Sequence, residues 1–353
     1  MGDIDLDDLT RRASAAARRL APGVEVGDLR PLEGGVSSLT FAGVLADVLG
    51  ERGVVLKVAP PGLEPVRNRD VLRQARMLGR LHGTPGFPVP RVLFEDPGAP
   101  PEVPPLFAME LCPGQAYEPR LDVTDDPPAP DVAAERMRAA ARALARLQAM
   151  TPAQLGVEDE PVLPVPEELA RWQRLLATVD PDICVGHEKL HDRLAEAVPE
   201  GIEPCVLHGD FRLANMLFTG RDLQAVIDWE IWSVGDPRVD LAWLMMHTRP
   251  AHVFHEDRSP ADVAAGSALP GAEELRDEYV AARLAHGATD AELRAVSVGL
   301  EWFLGVCYYK VASTIAVIWK RERRRPEPDP KLEVAARHLD EVLDAGHRAL
   351  DGF

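Results

Sequence analysis

The chain is poor in several features that would assign it to a class at once. Cysteine occurs only four times in 353 residues, as Cys112, Cys184, Cys205 and Cys307. These are far apart, with no C-x-x-C pair and no metal-like spacing to histidine, so they read as reduced structural thiols. Cations are the minority: Lys and Arg total 39 against 57 Asp and Glu, a net charge of −18. That balance disfavours general binding to DNA, RNA or an anionic membrane. It would favour cationic substrates, although net charge does not locate a pocket. There is no G-x-x-x-x-G-K-[ST] loop and no G-x-G-x-x-G after a strand. The start, Met1-Gly2-Asp3-Ile4-Asp5, is acidic and lacks the basic-then-apolar order of a signal peptide. One apolar stretch, Val298 to Trp319, contains Glu301 and Lys310, whose charges a bilayer would penalise. A buried helix is expected there, and a soluble, cytoplasmic protein overall. No internal repeat is present.

The hydrophobic period changes along the chain. Residues 5–20 predict a short amphipathic helix ending at Pro22-Gly23. Leu39–Val44 and Gly53–Val58 read as strands flanking a turn. Helical spacing runs through 66–82, and strand-like pieces lie at 91–95 and 105–111. A proline-rich acidic loop covers 118–131. Beyond it the pattern turns helical, at 132–150, 166–178, 187–198, 239–247, 272–286, 290–322 and 331–349. Short apolar runs at 204–207, 216–218 and 224–228 interrupt it. Segment 250–271, rich in Ala, Pro, Gly and His, reads as a loop. Lys320-Arg321-Glu322-Arg323-Arg324-Arg325 reads as a solvated helix end. The expectation is a strand-rich part over 1–110, with 1–24 as a helical extension, and a larger helical part over 111–353. A cleft at the join, near 109–114, would suit a small ligand.

What is present most distinctively is His208-Gly209-Asp210-Phe211-Arg212-Leu213-Ala214-Asn215, followed by Ile227-Asp228-Trp229-Glu230. This is H-G-D-x4-N, then D-W-E. One carboxylate, one amide and a second carboxylate are what phosphoryl transfer needs. Asp210 can accept a proton from an attacking hydroxyl, and Asn215 and Asp228 can hold Mg²⁺ on nucleotide phosphates. The competing readings are a loop carboxylate capping an amide, a turn asparagine and a strand-end aspartate. In an extended segment Glu230 would share a face with Asp228, either supporting a metal or holding a loop. His208 reads as a packed histidine that shapes the loop.

The order and gaps resemble the protein-kinase H-R-D-x4-N and D-F-G arrangement, with Gly209 for the arginine and Trp229 for the phenylalanine. That variant resembles the aminoglycoside phosphotransferase-like family. The wider string Leu207 to Leu241, with its D-W-E-I-W-S-V-G-D-P-R-V-D-L run, is similar in particular to the phosphotransferase domain related to the one found with acyl-CoA dehydrogenases. The resemblance implies an α+β, bilobal protein-kinase-like fold with a small β-rich N-lobe and a larger mainly helical C-lobe. It also implies transfer of the γ-phosphoryl group of ATP, with Mg²⁺, to a hydroxyl of a small molecule, aminoglycoside-like or another alcohol. No nucleic-acid or membrane partner is implied. The alternative is a nucleotide-binding module of this fold without transferase activity.

By the same resemblance Asp210 is the catalytic base, and Asn215 and Asp228 are the metal ligands. Asp240 would brace the catalytic loop through backbone hydrogen bonds, although simple helix N-capping explains Asp236 or Asp240 nearly as well. Leu32-Glu33-Gly34-Gly35-Val36-Ser37-Ser38 matches the nucleotide loop, in which Gly34, Gly35, Ser37 and Ser38 would meet phosphates. A hairpin turn is the other reading of the glycine pair. Lys57, alone in the apolar strand Val54–Val58, calls for an anionic partner, which phosphates would supply. Phe107–Gly114 matches the interlobe hinge. Within it, next to Met109, the Glu110 carbonyl and the Cys112 N–H would read adenine. The chain departs from the pattern at Gln74, where kinases carry the glutamate that pairs with the lysine; Asp70, one turn earlier, is the candidate substitute. Trp243, Trp302, Phe303, Tyr308 and Tyr309 either line an apolar pocket or pack the core.

Overall fold

The computed structural model describes residues 4–32, 38–249 and 258–352. It divides into two compact units. The first comprises Met1–Gln115, Met216–Thr219 and Leu223–Trp232; the second comprises Ala116–Asn215, Gly220–Asp222 and Ser233–Phe353. The division is therefore not linear, unlike a break at 110/111. Hydrogen bonds explain the exchange. Phe218 and Gln115 trade backbone bonds of 3.0 and 3.1 Å, and the Val226 N–H donates to the Pro88 carbonyl at 2.9 Å.

The first unit is built on an antiparallel sheet of β1 (Glu25–Pro31), β2 (Leu39–Asp47), β3 (Gly50–Val58), β4 (Val92–Asp96) and β5 (Leu106–Glu110), in the order β1-β2-β3-β5-β4. Helix α1 (Leu6–Ala17) starts at Asp5, whose carboxylate accepts the Asp7 and Asp8 amides and so satisfies two orphan donors. Its apolar face, with Leu9, Ala13, Ala16 and Ala17, joins Val26, Phe41, Leu45, Leu56 and Phe94 in one buried cluster. Helix α2 (Val71–Leu81) follows β3, with Asp70 accepting the Arg73 N–H at its start.

The second unit is mainly helical: α3 (Pro130–Leu147), α4 (Val165–Leu176), α5 (His187–Glu196), α6 (Arg238–Met246), α7 (Pro260–Ser267), α8 (Ala272–Ala285), α9 (Asp290–Ser297), α10 (Leu300–Glu322), α11 (Pro330–Arg337) and α12 (Leu339–Leu350). A small sheet of β6 (Val162–Leu163), β7 (Cys205–Leu207) and β10 (Ser233–Gly235) leads into the H-G-D loop. Strands β8 (Met216–Thr219) and β9 (Asp222–Val226), which belong to the first unit except for Asp222, pair after that loop.

Three helical expectations are corrected. Residues 290–322 form two helices, because Gly299 takes φ +72° and a Cβ there would meet Pro199 at 3.0 Å. Residues 331–349 break between α11 and α12 at His338. Within 250–271, Pro260–Ser267 is a helix, signalled by Ser259 at its N-cap and Pro260 at its first position; residues 250–257 lie outside the described residues. Helix α10 is long and apolar enough to cross a membrane by composition, yet 61% of its apolar window is buried, and it packs on α12, α6 and α4. The basic run after it is paired: Arg323 binds Asp180 and Asp182, and Arg325 binds Glu322.

Candidate active site

In the second unit the H-G-D loop leaves β7 and turns at Gly209, φ +86°, a conformation that glycine adopts without a Cβ clash. This is the physical content of the glycine variant. Asp240, fully buried on α6, accepts the backbone N–H of His208 at 2.6 Å and of Gly209 at 2.9 Å. It braces the loop and does not act as a helix cap. His208 is buried, and its Nδ1 accepts the Asp210 N–H at 3.2 Å, so it shapes the loop.

The Asp210 carboxylate is held on three sides. Trp243 Nε1 donates to Oδ1 at 2.8 Å, Asn215 Nδ2 donates to Oδ2 at 2.8 Å, and Arg212 Nε lies 3.2 and 3.3 Å from the two oxygens. Asn215 Nδ2 also donates to the Asp210 carbonyl at 2.8 Å. Both amide hydrogens are thus committed, and Oδ1 is left as the atom able to meet a cation. Burial opposes ionisation of Asp210, but the charges of Arg212 and Lys310 outweigh it and hold the carboxyl well below the usual range. Lys310, on α10, donates to the Gly209 carbonyl at 2.9 Å; burial pulls it below the usual lysine range against the opposing charge of Asp210.

Glu118 lies behind this loop, fully buried. Its Oε2 accepts the Ala214 N–H at 3.3 Å and lies 4.0 Å from Arg212 Nη1, while Oε1 has no partner among the described residues. Burial pushes its pKa from 4.5 up to about 7, with Arg212 opposing. A carboxyl raised on folding binds its proton more tightly in the folded state. Its contribution to stability is present below about pH 4.5 and lost as pH rises through about 7. A shift of that size corresponds to roughly 3 kcal/mol. Urea unfolding as a function of pH should therefore show the wild type falling relative to Glu118→Gln across that window. Parallel profiles would contradict the assignment.

The first unit carries the other expected residues. Lys57, on β3, donates to Asp228 Oδ1 at 2.8 Å. It is the buried partner of the pair, while the Asp228 side chain is 35% exposed. Asp228 itself takes φ 65°, ψ 56°, a left-handed conformation that aspartate tolerates better than most residues. The turn Trp229–Ile231 that follows is 3₁₀, so Glu230 does not share an extended face with Asp228. Asp70 does not stand in for the missing glutamate: it caps α2 and lies 3.5 Å from Arg76. Gln74 is buried, with Nε2 unpartnered among the described residues. The carboxylate serving Lys57 is Asp228, 171 positions away.

Gly34, Gly35 and Ser37 lie outside the described residues. Ser38 is buried just before β2, and its Oγ has no partner among the described residues. Met109 ends buried in β5 opposite Val55. Glu110 anchors its own strand end, its Oε1 accepting the Arg91 N–H at 3.1 Å. The Cys112 N–H follows at the half-buried start of the turn. Of the five aromatic candidates, Trp302, Phe303, Tyr308 and Tyr309 pack the core at 2% exposure or less, whereas Trp243 reaches Asp210.

Sequence reasoning did not assign Arg212, Trp243, Lys310 or Glu118 to this loop. Lys310 carried a usable signal, the same one as Lys57: a single ammonium in an apolar element must find an oxygen partner.

A five-stranded antiparallel sheet with helix α2 between β3 and β4, a mainly helical unit and an H-G-D-x4-N loop constitute the α+β protein-kinase-like fold. Solved structures agree. A putative aminoglycoside phosphotransferase from Ralstonia eutropha matches with TM-score 0.73 at 18% identity, over 99% of both chains. A thermostable mutant of aminoglycoside phosphotransferase APH(4)-Ia, in a ternary complex with ADP and hygromycin B, matches with TM-score 0.57 at 18% identity, over 93% of this chain and 96% of that one. The model of the phosphotransferase enzyme family matches residues 28–295, and the chain belongs to that family. Among curated proteins, mouse acyl-CoA dehydrogenase family member 10 is 27% identical over 206 residues, covering 55% of this chain and 18% of that protein. Human acyl-CoA dehydrogenase family member 11 is 23% identical over 278 residues, covering 77% of this chain and 34% of that protein. The chain thus spans only about a fifth to a third of the length of these relatives.

Proposed function

We propose that the chain transfers the γ-phosphoryl group of ATP, bound with Mg²⁺, to a hydroxyl of a small molecule. The observation that carries this reading is the geometry of Asp210, a carboxylate oriented by Trp243, Asn215 and Arg212 within a braced loop. A carboxylate held so far below its usual range is a weak proton acceptor. Its contribution is to orient the hydroxyl and receive the proton late, which suits a loose phosphoryl-transfer transition state. Asn215 Oδ1 and the Asp228 carboxylate would hold Mg²⁺, which neutralises charge on the phosphates. No group of three or more His, Cys, Asp or Glu suited to a metal exists among the described residues. An ion held there would complete its shell with phosphate oxygens and water. Lys57 and Ser38 would steady the phosphates, and the hinge around Met109, Glu110 and Cys112 would take the adenine.

The test is single-turnover ATP consumption across a panel of alcohols, aminoglycosides included, with and without chelator. At least one acceptor is expected to consume ATP in a Mg²⁺-dependent way, and Asp210→Ala is expected to stop it. Unchanged turnover in Asp210→Ala would remove the base assignment. Tight Mg-ATP binding by calorimetry with no acceptor found would favour a nucleotide-binding module. Gln74 motivates that second reading, and the carboxylate that Lys57 finds in Asp228 weakens it.

A further inference from the structure

We propose that Lys310 is a positioning residue for the base, gripping the Gly209 carbonyl and the face of Trp243 so that the Asp210 carboxylate keeps one orientation. The inference rests on the phosphotransferase reading of Asp210 and goes beyond it, because Lys310 lies outside both the H-G-D-x4-N and the D-W-E motifs of this chain.

Lys310 sits in α10 among Val306, Cys307, Tyr308, Tyr309, Ala312 and Ser313, all buried. An ammonium there is costly unless it is held by oxygen or by an aromatic face. Lys310 has both. Its Nζ donates to the Gly209 carbonyl at 2.9 Å and lies 3.6 Å from the Trp243 ring centroid, with Trp172 further off at 5.5 Å. Trp243 in turn donates its indole N–H to Asp210 Oδ1 at 2.8 Å.

Two consequences follow. The peptide joining Gly209 to Asp210 is held at both ends, its N–H by His208 Nδ1 and its carbonyl by Lys310. Gly209 has φ +86°, and a sparsely populated conformation persists only where its surroundings determine it. Asp240 supplies one side of that determination, from α6, and Lys310 the other, from α10. Secondly, a cation over the indole face draws electron density from the ring and strengthens its N–H as a donor. The same ammonium thus sets both the backbone and the side-chain contact of the base. A lysine serving only to fill space would be replaceable by methionine; one that grips a carbonyl and a ring would not.

The test uses the full chain with ¹⁵N-labelled tryptophan, as wild type, Lys310→Met, Lys310→Arg and Trp243→Phe. The Trp243 indole signal is identified by its loss in Trp243→Phe. In Lys310→Met that signal should move upfield, while the Trp229 and Trp302 signals, whose indoles donate to the Val226 and Leu194 carbonyls, stay in place and report an intact fold. With whichever alcohol of the panel is phosphorylated, kcat of Lys310→Met should fall on the order of 10²-fold, the cost of a misplaced catalytic group, with KM for Mg-ATP little changed. Lys310→Arg, which keeps a cation and a donor, should retain most of both readouts although arginine is the larger side chain. An unmoved Trp243 signal, or a Lys310→Met enzyme with wild-type kcat, would overturn the proposal. So would a Lys310→Arg enzyme that behaves like Lys310→Met. Were Asp210→Ala fully active, the phosphotransferase assignment of the base would fail, and the indole spectrum would still decide whether Lys310 sets the Asp210 contact.

Discussion

Asparagine in place of Asp210 is expected to lower phosphoryl transfer by about 10²–10⁴-fold, the range associated with a positioned acid–base group. Nucleotide binding should stay within a few-fold, because Asp210 is proposed to meet the acceptor hydroxyl. The substitution is nearly isosteric. One amide oxygen can still accept the Trp243 indole N–H, now at 2.8 Å. The new NH₂ then faces Asn215 Nδ2 and Arg212 Nε, two donors that currently share the carboxylate. The loop remains braced by Asp240, so the loss should appear in kcat with the fold retained. Steady-state kinetics with the best alcohol from the panel, alongside calorimetry with Mg-ATP, checks this. A variant with kcat within threefold of wild type would show that the carboxylate does not act on the hydroxyl.

The largest effect on stability is expected at Arg238. Its side chain is 1% exposed, at the start of α6. Nε and Nη2 meet Asp236 Oδ1 and Oδ2 at 2.9 and 2.6 Å, Nη1 donates to the Val298 carbonyl at 2.5 Å, and Nη2 donates to the Glu200 carbonyl at 2.6 Å. The guanidinium carbon also lies 4.6 Å from the Phe303 centroid. A buried pair of this kind is not in itself strong evidence of net stabilisation, since desolvation offsets much of the attraction. Removing one partner is different, because the other charge stays buried and unpaired, at a cost of about 3–5 kcal/mol. Arg238→Met should therefore lower the melting temperature by roughly 10 °C. Removing Asp236 as well should not restore it, since the two carbonyls would still lack donors. Thermal unfolding with a second-unit tryptophan as probe measures this, and a loss below about 1 kcal/mol would refute the argument.

Asp236 and Arg238 also show where sequence reading stopped. The run Asp236-Pro237-Arg238-Val239-Asp240 suggests N-capping, and Asp236 Oδ1 does accept the Arg238 N–H at the start of α6, at 3.0 Å, whereas Asp240 makes no such bond. Asp236 serves the buried arginine, and Asp240 reaches back 32 and 31 positions to the H-G-D loop. Capping is a local rule, and a buried carboxylate is claimed by whichever donor the tertiary packing brings. Long periodic segments such as α3, α4 and α8 were readable because their apolar spacing is itself the helix signal. Strands of two or three residues, such as β6 and β10, carry no period and were missed. The breaks at Gly299 and His338 were missed because apolar spacing continues on both sides of each.

The order of residues along the chain by itself determined the family-like motif, the loop that carries Asp210 and Asn215, and the alternation of strand-rich and helix-rich stretches. These are properties of neighbours in sequence, where turn chemistry and periodicity operate. Only the tertiary structure decided which groups hold Asp210. Trp243 and Lys310 reach Asp210 and its loop from α6 and α10, across 33 and 101 positions. Lys57 finds Asp228 where a neighbouring glutamate was expected. A buried charge takes the nearest complementary group in space, and distance along the chain says nothing about which group that will be.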